Sequence, residues 1–129
     1  MSLFGRAPRS GKPDNRIYGA EGERMAARHL KSLGAKILAQ NYRVAEGEID
    51  LIAEMDGYLC FVEVKRRGSD IYGAPAEAVD ALKQRHIGYA AAHYLKEHGG
   101  LERKVRFDVC EVTDEGVRLI PGAFYPPKR

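Results

Sequence analysis

Residues 47–67 read GEIDLIAEMDGYLCFVEVKRR, and this stretch decides the fold. Two largely apolar runs flank the dipeptide Asp56-Gly57, which is typical of the two-residue type I′ turn between antiparallel strands. The sequence therefore predicts a β-hairpin. Its strands carry ionisable side chains, although Asp, Glu and Lys are uncommon in strands. The residues concerned are Glu48, Asp50, Glu63 and Lys65. Each needs a structural or functional reason to occupy a strand.

The turn also sets the register of the hairpin. With a two-residue loop, Asp50 lies opposite Glu63, and Glu48 lies opposite Lys65. Opposed side chains have Cβ atoms roughly 4.5–5.5 Å apart, so two facing carboxylates repel each other unless a positive charge compensates. Mg²⁺ supplies such a charge and binds through one or two carboxylates with water and substrate phosphates. We interpret the hairpin as a metal platform, with cross-strand salt bridges as the alternative. The other face, predicted to be fully buried, carries Ile49, Leu51, Cys60, Val62 and Val64.

Periodicity along the rest of the chain predicts two helices and three further strands. The predicted elements are a helix over 17–33, a strand over 36–44, the hairpin, a second helix within 73–100, and strands over 104–112 and 117–120. Gly34 is placed to end the first helix, and Pro75 suits the first turn of the second. The order α-β-β-β-α-β-β predicts an α/β domain with a mixed central sheet of about five strands flanked by helices.

The composition is that of a soluble globular protein. The chain has 129 residues, of which 44% are hydrophobic and 30% charged, and this length suits one domain with one core. No apolar run is long enough to span a membrane, and no secretory signal is visible, so we expect a cytoplasmic protein without a membrane partner. Cys60 and Cys110 lie in apolar strand patterns and are predicted to be buried free thiols.

The net charge of +3 is confined to the N-terminus. Residues 1–16 hold four basic residues and one acidic residue, and they are rich in Pro, Gly and Ser. We predict that this basic tail is disordered and that residues 17–129 form a single, electrically neutral domain. A basic tail contacts phosphates in some proteins and is merely solvated in others, so net charge alone does not identify the partner.

An acidic residue also interrupts the apolar face of the first predicted helix. That face carries Gly19, Glu23, Ala26, Leu30 and Leu33. Burying Glu23 there is unfavourable unless the carboxylate is paired. Gly19 and Gly22 beside it would let the helix approach another surface closely. We therefore predict that Glu23 converges with the hairpin acids on one ion.

Several blocks of the sequence resemble a known family. The spacing from Asp50 to Glu63-Val64-Lys65 resembles the PD-(D/E)XK nuclease motif. Within that superfamily, the blocks GAEGERMAARHL, NYRVAEGEIDLIA, FVEVKRR, YGAPAEAVDALKQR and RFDVCEV are similar, in this order, to the bacterial YraN-like family. That family is itself similar to archaeal Holliday-junction resolvases. The resemblance covers about residues 17–113 and implies a restriction-endonuclease-like core.

The resemblance implies an endonuclease that hydrolyses phosphodiester bonds with Mg²⁺ or Mn²⁺, in branched or broken DNA during repair or recombination. The implied metal ligands are Glu23, Asp50, Glu63 and the backbone carbonyl of Val64. Asp50, Glu63 and Lys65 would be the catalytic residues, with Lys65 orienting or activating the attacking water. A lysine among carboxylates stays protonated more readily, so Lys65 suits electrostatic stabilisation better than general-base work.

The sequence departs from the superfamily pattern just before Asp50. The expected Pro is replaced by the GEID arrangement, so that Glu48 shares a face with Asp50. Glu48 is then either an additional metal ligand or a partner that neutralises Lys65. The second case leaves open a nucleic-acid-binding module of the same fold that does not cleave. A separate alternative is a protein-interaction subunit whose acids form structural salt bridges.

Basic residues around the platform are candidates for contact with the phosphate backbone. These residues are Arg43, Arg66, Arg67, Lys83 and Arg85. Such contacts position nucleic acid without reading its sequence, and no base-specific readout is predicted. DNA is favoured over RNA as the partner. Analogy with resolvases, which cut two symmetry-related strands, suggests a homodimer.

Overall fold

A computed structural model of the protein describes residues 15–67, 79–100 and 102–127. Its elements are α1 (Asn15–Ser32), β1 (Lys36–Val44), β2 (Gly47–Met55), β3 (Tyr58–Arg66), α2 (Ala81–Glu97), β4 (Val105–Thr113) and β5 (Gly116–Ile120). The strands form one sheet in the order β1-β2-β3-β4-β5. Neighbouring strands are antiparallel except for β3 and β4, which run parallel and are joined through α2. The predicted α/β fold with a mixed five-stranded sheet is confirmed.

The hairpin of β2 and β3 has the predicted turn and register. Asp56 and Gly57 both have positive φ, +54° and +82°, as a type I′ turn requires. Backbone pairing runs from Met55↔Tyr58 to Leu51↔Val62, in the register that the two-residue loop sets. The pairing ends there, one residue before Asp50. The strands that carry the hairpin acids are therefore not joined by ladder hydrogen bonds at Asp50 itself.

A helix covers each face of the sheet. Against α1 lie Ala26, Ala27, Leu30, Leu51, Cys60, Val62, Cys110 and Val112. Against α2 lie Ile52, Leu59, Phe61, Ile87, Ala90, Ala91, Tyr94 and Val109. The two cysteines are buried and free, as predicted. Leu33, which we predicted on the buried face of the first helix, is 49% exposed because α1 ends one residue earlier, at Ser32.

Both helices begin at positions that differ from the predictions. α1 starts at Asn15, so Asn15 and Arg16, assigned above to the tail, are helical. α2 starts at Ala81, where extended Asp80 (φ −71°, ψ 171°) caps it and accepts the N–H of Lys83 at 2.8 Å. Residues 1–14 and 68–78, including Pro75 and the predicted first turn, lie outside the described residues. Neither of the two described helices is long and apolar enough to cross a membrane.

In β1 and β2 the regular alternation of side chains between the two faces of the sheet is interrupted at one point, where Asn41 lies opposite Asp50. The flanking pairs are Gln40↔Leu51 and Tyr42↔Ile49, which place Asn41 opposite Asp50. Leu51 packs towards α1, whereas Ile49, two residues away, packs towards α2, although regular alternation would keep them together. Asn41 has φ +52°, in the left-handed region. The prediction that Ile49 shares a face with Leu51 is therefore wrong, and we call this feature the Asn41–Asp50 break.

Gly47 sets the contact between the start of β2 and α2. A Cβ atom at this position would overlap the backbone carbonyl of His86 on α2. Only glycine lets the strand backbone lie this close to the helix backbone. The contact fixes where α2 crosses the end of the sheet, and with it the position of the Lys83 side chain one turn earlier on the helix.

Substituting Gly47→Ala is expected to lower the free energy of unfolding by about 1–3 kcal/mol, because the added methyl group forces α2 away from β2. Urea denaturation measures this change. The matched control is Gly19→Ala on α1, where a Cβ meets no atom within 4 Å. That substitution should raise stability by up to about 1 kcal/mol, since alanine is the better helix former. Equal effects of the two substitutions would contradict the close packing at Gly47.

Candidate active site at the open end of the hairpin

The Asp50 side chain lies where the pairing of β2 and β3 has ended. Its Oδ2 accepts a hydrogen bond from the backbone N–H of Val64 on β3 at 2.8 Å. A carboxylate oxygen thus takes the position of the backbone carbonyl that a continued ladder would provide. This bond fixes Asp50 between the two strands, beside Glu63-Val64-Lys65.

The backbone of β3 alternates between its two neighbours. Leu59 N–H donates to Lys104 O at 2.8 Å, and Arg67 N–H donates to Val112 O at 2.9 Å, both on the β4 side. Odd-numbered residues of β3 therefore turn their backbone groups towards β4, and even-numbered residues turn theirs towards β2. Because the N–H and C=O of one strand residue point the same way, the carbonyl of Val64 faces the side where Asp50 lies. The predicted backbone ligand is on the correct side of the strand.

Glu63 is buried against Asp50. It is only 7% exposed. Burial, the nearby Asp50 charge and a hydrogen bond between the two carboxyl groups raise the pKa of Glu63 to about 8, although Lys83 and Lys65 oppose this rise. Lys83 Nζ on α2 lies 3.7 Å from Glu63 Oε2. Near neutral pH Glu63 therefore holds a proton, as a buried carboxyl group beside a second carboxyl group does.

Glu23 reaches the same region from α1. Gly22 beside it is buried, and a Cβ there would lie 3.8 Å from the Val64 side chain, so α1 approaches β3 closely. Burial and the charges of Asp50 and Glu48 raise the pKa of Glu23, while a hydrogen bond with the Asn41 side chain and the charge of Arg43 lower it. Asp50 thus interacts electrostatically with both of the other predicted acids.

The three acids approach the site from different directions. Glu23 comes from the α1 face, whereas Glu63 contacts Lys83 on the α2 side. Within residues 15–67, 79–100 and 102–127, no three His, Cys, Asp or Glu side chains are close enough together to hold a metal ion as they stand. A Mg²⁺ site needs only one or two carboxylates beside water and phosphate oxygens. Asp50, Glu63 and the Val64 carbonyl together supply a donor set that fits such an ion.

Glu48 pairs with a different cation from the one that the hairpin register predicts. Glu48 Oε1 lies 3.3 Å from Arg43 Nε, its neighbour across β1 and β2. The interpretation in which Glu48 neutralises Lys65 is therefore wrong for this structure, because the hairpin ladder ends before Glu48 and leaves it paired with β1. Lys65 forms no ion pair within 4.0 Å in the part of the chain that the structure describes. It is nevertheless close enough to lower the pKa of Glu63.

The other predicted phosphate contacts divide into two groups. Arg66 at the end of β3 and Arg85 on α2 are exposed. Arg67 instead donates from Nη1 to buried Glu111 Oε2 at 2.7 Å and is itself only 16% exposed. This ion pair gives Arg67 a structural contact that the sequence did not reveal.

Asn41 is the site residue that the sequence analysis missed. Its side chain bonds Glu23, and its left-handed backbone forms one half of the Asn41–Asp50 break. Asn is among the few non-glycine residues that adopt positive φ with ease, and this tolerance was the available signal. Its neighbours in the segment 36–44 read as a continuous strand, which hid that signal.

Two substitutions test the backbone role of Asn41. Asn41→Gly and Asn41→Ala both lose the bond to Glu23, but only alanine places a Cβ in the left-handed conformation. We expect the alanine variant to be less stable by about 1 kcal/mol, the reverse of the usual order in a strand. Gln40→Gly and Gln40→Ala, at the preceding exposed position, should follow the usual order in the same urea titration. The usual order at Asn41 as well would contradict the break.

The pKa of Glu63 makes stability depend on pH. Because its value of about 8 lies above the ordinary value of 4.5, the folded state holds a proton that the unfolded chain releases between these pH values. The stability contributed by this group is therefore fully present below about pH 4.5 and is lost as the pH rises through about 8.

Asp50→Asn removes the facing charge and retains an oxygen that can accept the Val64 N–H. We expect the Tm difference, variant minus wild type, to become more positive as pH rises from about 5 to about 9. Thermal scans in the presence of a chelator measure it. Asp114→Asn, in the exposed turn between β4 and β5, is the control and should run parallel to wild type. A parallel profile for Asp50→Asn would refute the effect of the Asp50 charge on the pKa of Glu63.

The site residues lie within a region that other proteins share. A family model described as "Uncharacterised protein family UPF0102" matches residues 22–112. A UPF0102 protein of Desulfosudis oleivorans is 46% identical over 109 residues, which are 83% of this chain and 89% of its own. One from Myxococcus xanthus is 39% identical over 120 residues, 90% of this chain and 95% of its own. UPF0102 protein CT2262 of Chlorobaculum tepidum is 50% identical over 94 residues, 73% of each chain. The chain therefore belongs to the UPF0102 family, the YraN-like family that its sequence blocks resemble.

Proposed function

We propose that the protein is a metal-dependent nuclease of the PD-(D/E)XK type that hydrolyses phosphodiester bonds in DNA. The observation that carries this proposal is the placement of two acids at the open end of the hairpin: Glu63 is buried 3.7 Å from Lys83, and Asp50, which raises the Glu63 pKa, is fixed by the Val64 N–H. The proposed ion is Mg²⁺ or Mn²⁺. The proposed substrate is branched or broken DNA, as the resemblance to Holliday-junction resolvases implies.

Other buried acids of the same sheet provide an internal comparison. Asp108 accepts from Arg106 Nε at 2.9 Å, and it is fully buried. Glu111 accepts from Arg67 at 2.7 Å and from Arg118 at 3.0 Å. Each of these acids thus has a close guanidinium partner, the arrangement expected of a structural ion pair.

Glu63 is held differently from these structural acids. Its cation contact is Lys83 at 3.7 Å, and its hydrogen-bond partner is another carboxyl group, that of Asp50. A structural role alone would favour an arginine here, since facing carboxylates destabilise a strand pair. The contrast supports a role for Asp50 and Glu63 in binding a cation, and it weighs against the protein-interaction alternative in which all the acids are structural.

Each site residue has a distinct part in the proposed reaction. A bound divalent cation would supply positive charge to the scissile phosphate and lower the pKa of a water molecule. Asp50, fixed by the Val64 N–H, and Glu63 would hold that cation together with the Val64 carbonyl. Lys65 follows Glu63 by two residues, lies on the same side of β3, and would offset the charge that builds on the phosphate. Glu23, oriented by Asn41, would add the third carboxylate.

Cleavage of labelled branched, flapped and linear DNA with Mn²⁺ and with Mg²⁺ tests this function. We expect wild type to cut, and Asp50→Asn and Lys65→Ala to lose roughly 10²-fold or more in rate, because each removes charge stabilisation at the reacting phosphate. Lys96→Ala, an exposed lysine in the last turn of α2, is the matched control and should cut like wild type.

Calorimetric titration with Mn²⁺ separates the remaining outcomes. Wild type should bind the ion and Asp50→Asn should bind it far more weakly. Binding of DNA and metal without turnover would replace the proposal with the non-catalytic binding module. Failure to bind either would make the hairpin acids structural and exclude both nucleic-acid functions.

A further inference from the structure

We infer that the open cleft beside the acid pair is a binding site for one unpaired nucleotide of a DNA strand. The cleft has a volume of about 580 Å³ and lies between the β1–β2 turn and α2. Its lining residues that carry the argument are Arg43, Glu48, Lys83, His86 and Tyr89. The inference rests on the proposed function and names the form of DNA that reaches the site.

The α2 wall presents three side chains in line. Lys83, His86 and Tyr89 recur every third residue, so they lie along one side of the helix, and all three line the cleft. Gly47 on the opposite wall packs against the His86 backbone, which holds the two walls together at the base. The wall therefore offers a cation, an imidazole and a phenol ring in sequence, next to one another.

Lys83 connects the cleft with the acid pair. Lys83 lines the cleft and also lies 3.7 Å from Glu63. Glu48 lines the opposite wall and acts electrostatically on Glu23. A strand whose phosphate lies at Asp50 and Glu63 would therefore place its adjoining nucleotide in the cleft, with Tyr89 about two helical turns beyond Lys83.

The charges of the cleft suit a single phosphate. Arg43 pairs with Glu48 at 3.3 Å, but their side chains are 71% and 36% exposed, so the pair is weak and Arg43 can turn to a phosphate. Glu46 also lines the cleft, so cations and acids nearly balance there. A broad basic surface for duplex DNA is not expected either, because residues 17–129 hold 17 basic and 17 acidic residues.

Stacking supplies binding energy where charge does not. An aromatic ring stacks on any base once that base is unpaired, and each such contact is lost when the ring is removed. The half-buried Tyr89 ring on the cleft wall is placed for this contact. A paired base inside a duplex is already stacked on its neighbours, so its faces are not available to the Tyr89 ring. The chemistry therefore favours single-stranded ends, flaps or junction centres over intact duplex.

Fluorescence anisotropy in EDTA tests the inference without any cleavage step. The probes are a labelled single strand of roughly 12 nucleotides and the same strand annealed to its complement. We expect wild type to bind the single strand more tightly, Tyr89→Ala to weaken that binding about tenfold or more, and Tyr89→Phe to retain it. Tyr125→Ala is the matched control, since Tyr125 is 72% exposed and does not line the cleft.

Salt dependence tests the phosphate contact separately. Arg43→Ala should reduce the slope of log K against log salt by about 0.7 for the single strand. Arg24→Ala is the control because Arg24 also forms an exposed pair, with Glu21 at 2.6 Å, but lies on α1 away from the cleft. It should leave the slope unchanged.

The outcomes distinguish this inference from the proposed function. Equal affinity for duplex and single strand, or normal binding by a folded Tyr89→Ala, overturns the cleft site even if wild type cleaves DNA. Preferential single-strand binding that depends on Tyr89 supports the site even if no metal produces turnover. In that second case the nuclease proposal fails and the nucleotide site remains.

Discussion

The hydrogen bond from the Val64 N–H to Asp50 is the contact on which the site depends. It can form only because β2 stops pairing with β3 at Leu51, which frees one backbone donor at the point where a carboxylate is available. The Asn41–Asp50 break makes this possible. The side chains of both strands change face at the same point, and β1 stays paired with β2 on either side of it. In a regular sheet the Asp50 side chain would project from one face of the sheet and would not reach the β3 backbone.

The break also explains why the acids come from both faces of the sheet. Ile49, before the break, packs towards α2, whereas Leu51, just after it, packs towards α1. Asp50 lies at the change of face, so it interacts with Glu23 from one helix side and with Glu63 near Lys83 from the other. Non-glycine residues with positive φ cost free energy that the surrounding fold must offset, and they are concentrated at functional sites. Asn41 at the edge of this cluster agrees with that tendency.

Much of the fold follows from local chemistry that the sequence displays. Asp56-Gly57 set the turn and register of the hairpin, and alternation gave the bounds of β1 as observed. The start of α2 at Ala81 was not predicted, because Asp80 lies inside the helical pattern of residues 73–100 and its side-chain cap on the Lys83 N–H is not visible in that pattern. The long-range ion-pair partners could not be predicted from the sequence either. The Arg43–Glu48 pair and the buried Arg67–Glu111 pair depend on which strands are neighbours, and adjacency is not encoded in the spacing of either residue.

The buried acids of β4 and those of the hairpin have different kinds of partner. Glu111 lies in register with Lys65, yet its bonds go to Arg67 and Arg118, so it does not draw the lysine away from Glu63. Asp108 is satisfied in the same way by Arg106. Arginine thus pairs with the acids of β4, and a close or bidentate guanidinium pair fixes the position of an ionised carboxylate. Glu63 instead lies 3.7 Å from the Lys83 ammonium group, and Asp50 accepts the Val64 N–H, so among the described residues neither carboxyl group is held by a guanidinium group. Asp50 and Glu63 differ in this way from Asp108 and Glu111, and this difference is the reason for placing the proposed cation at the hairpin.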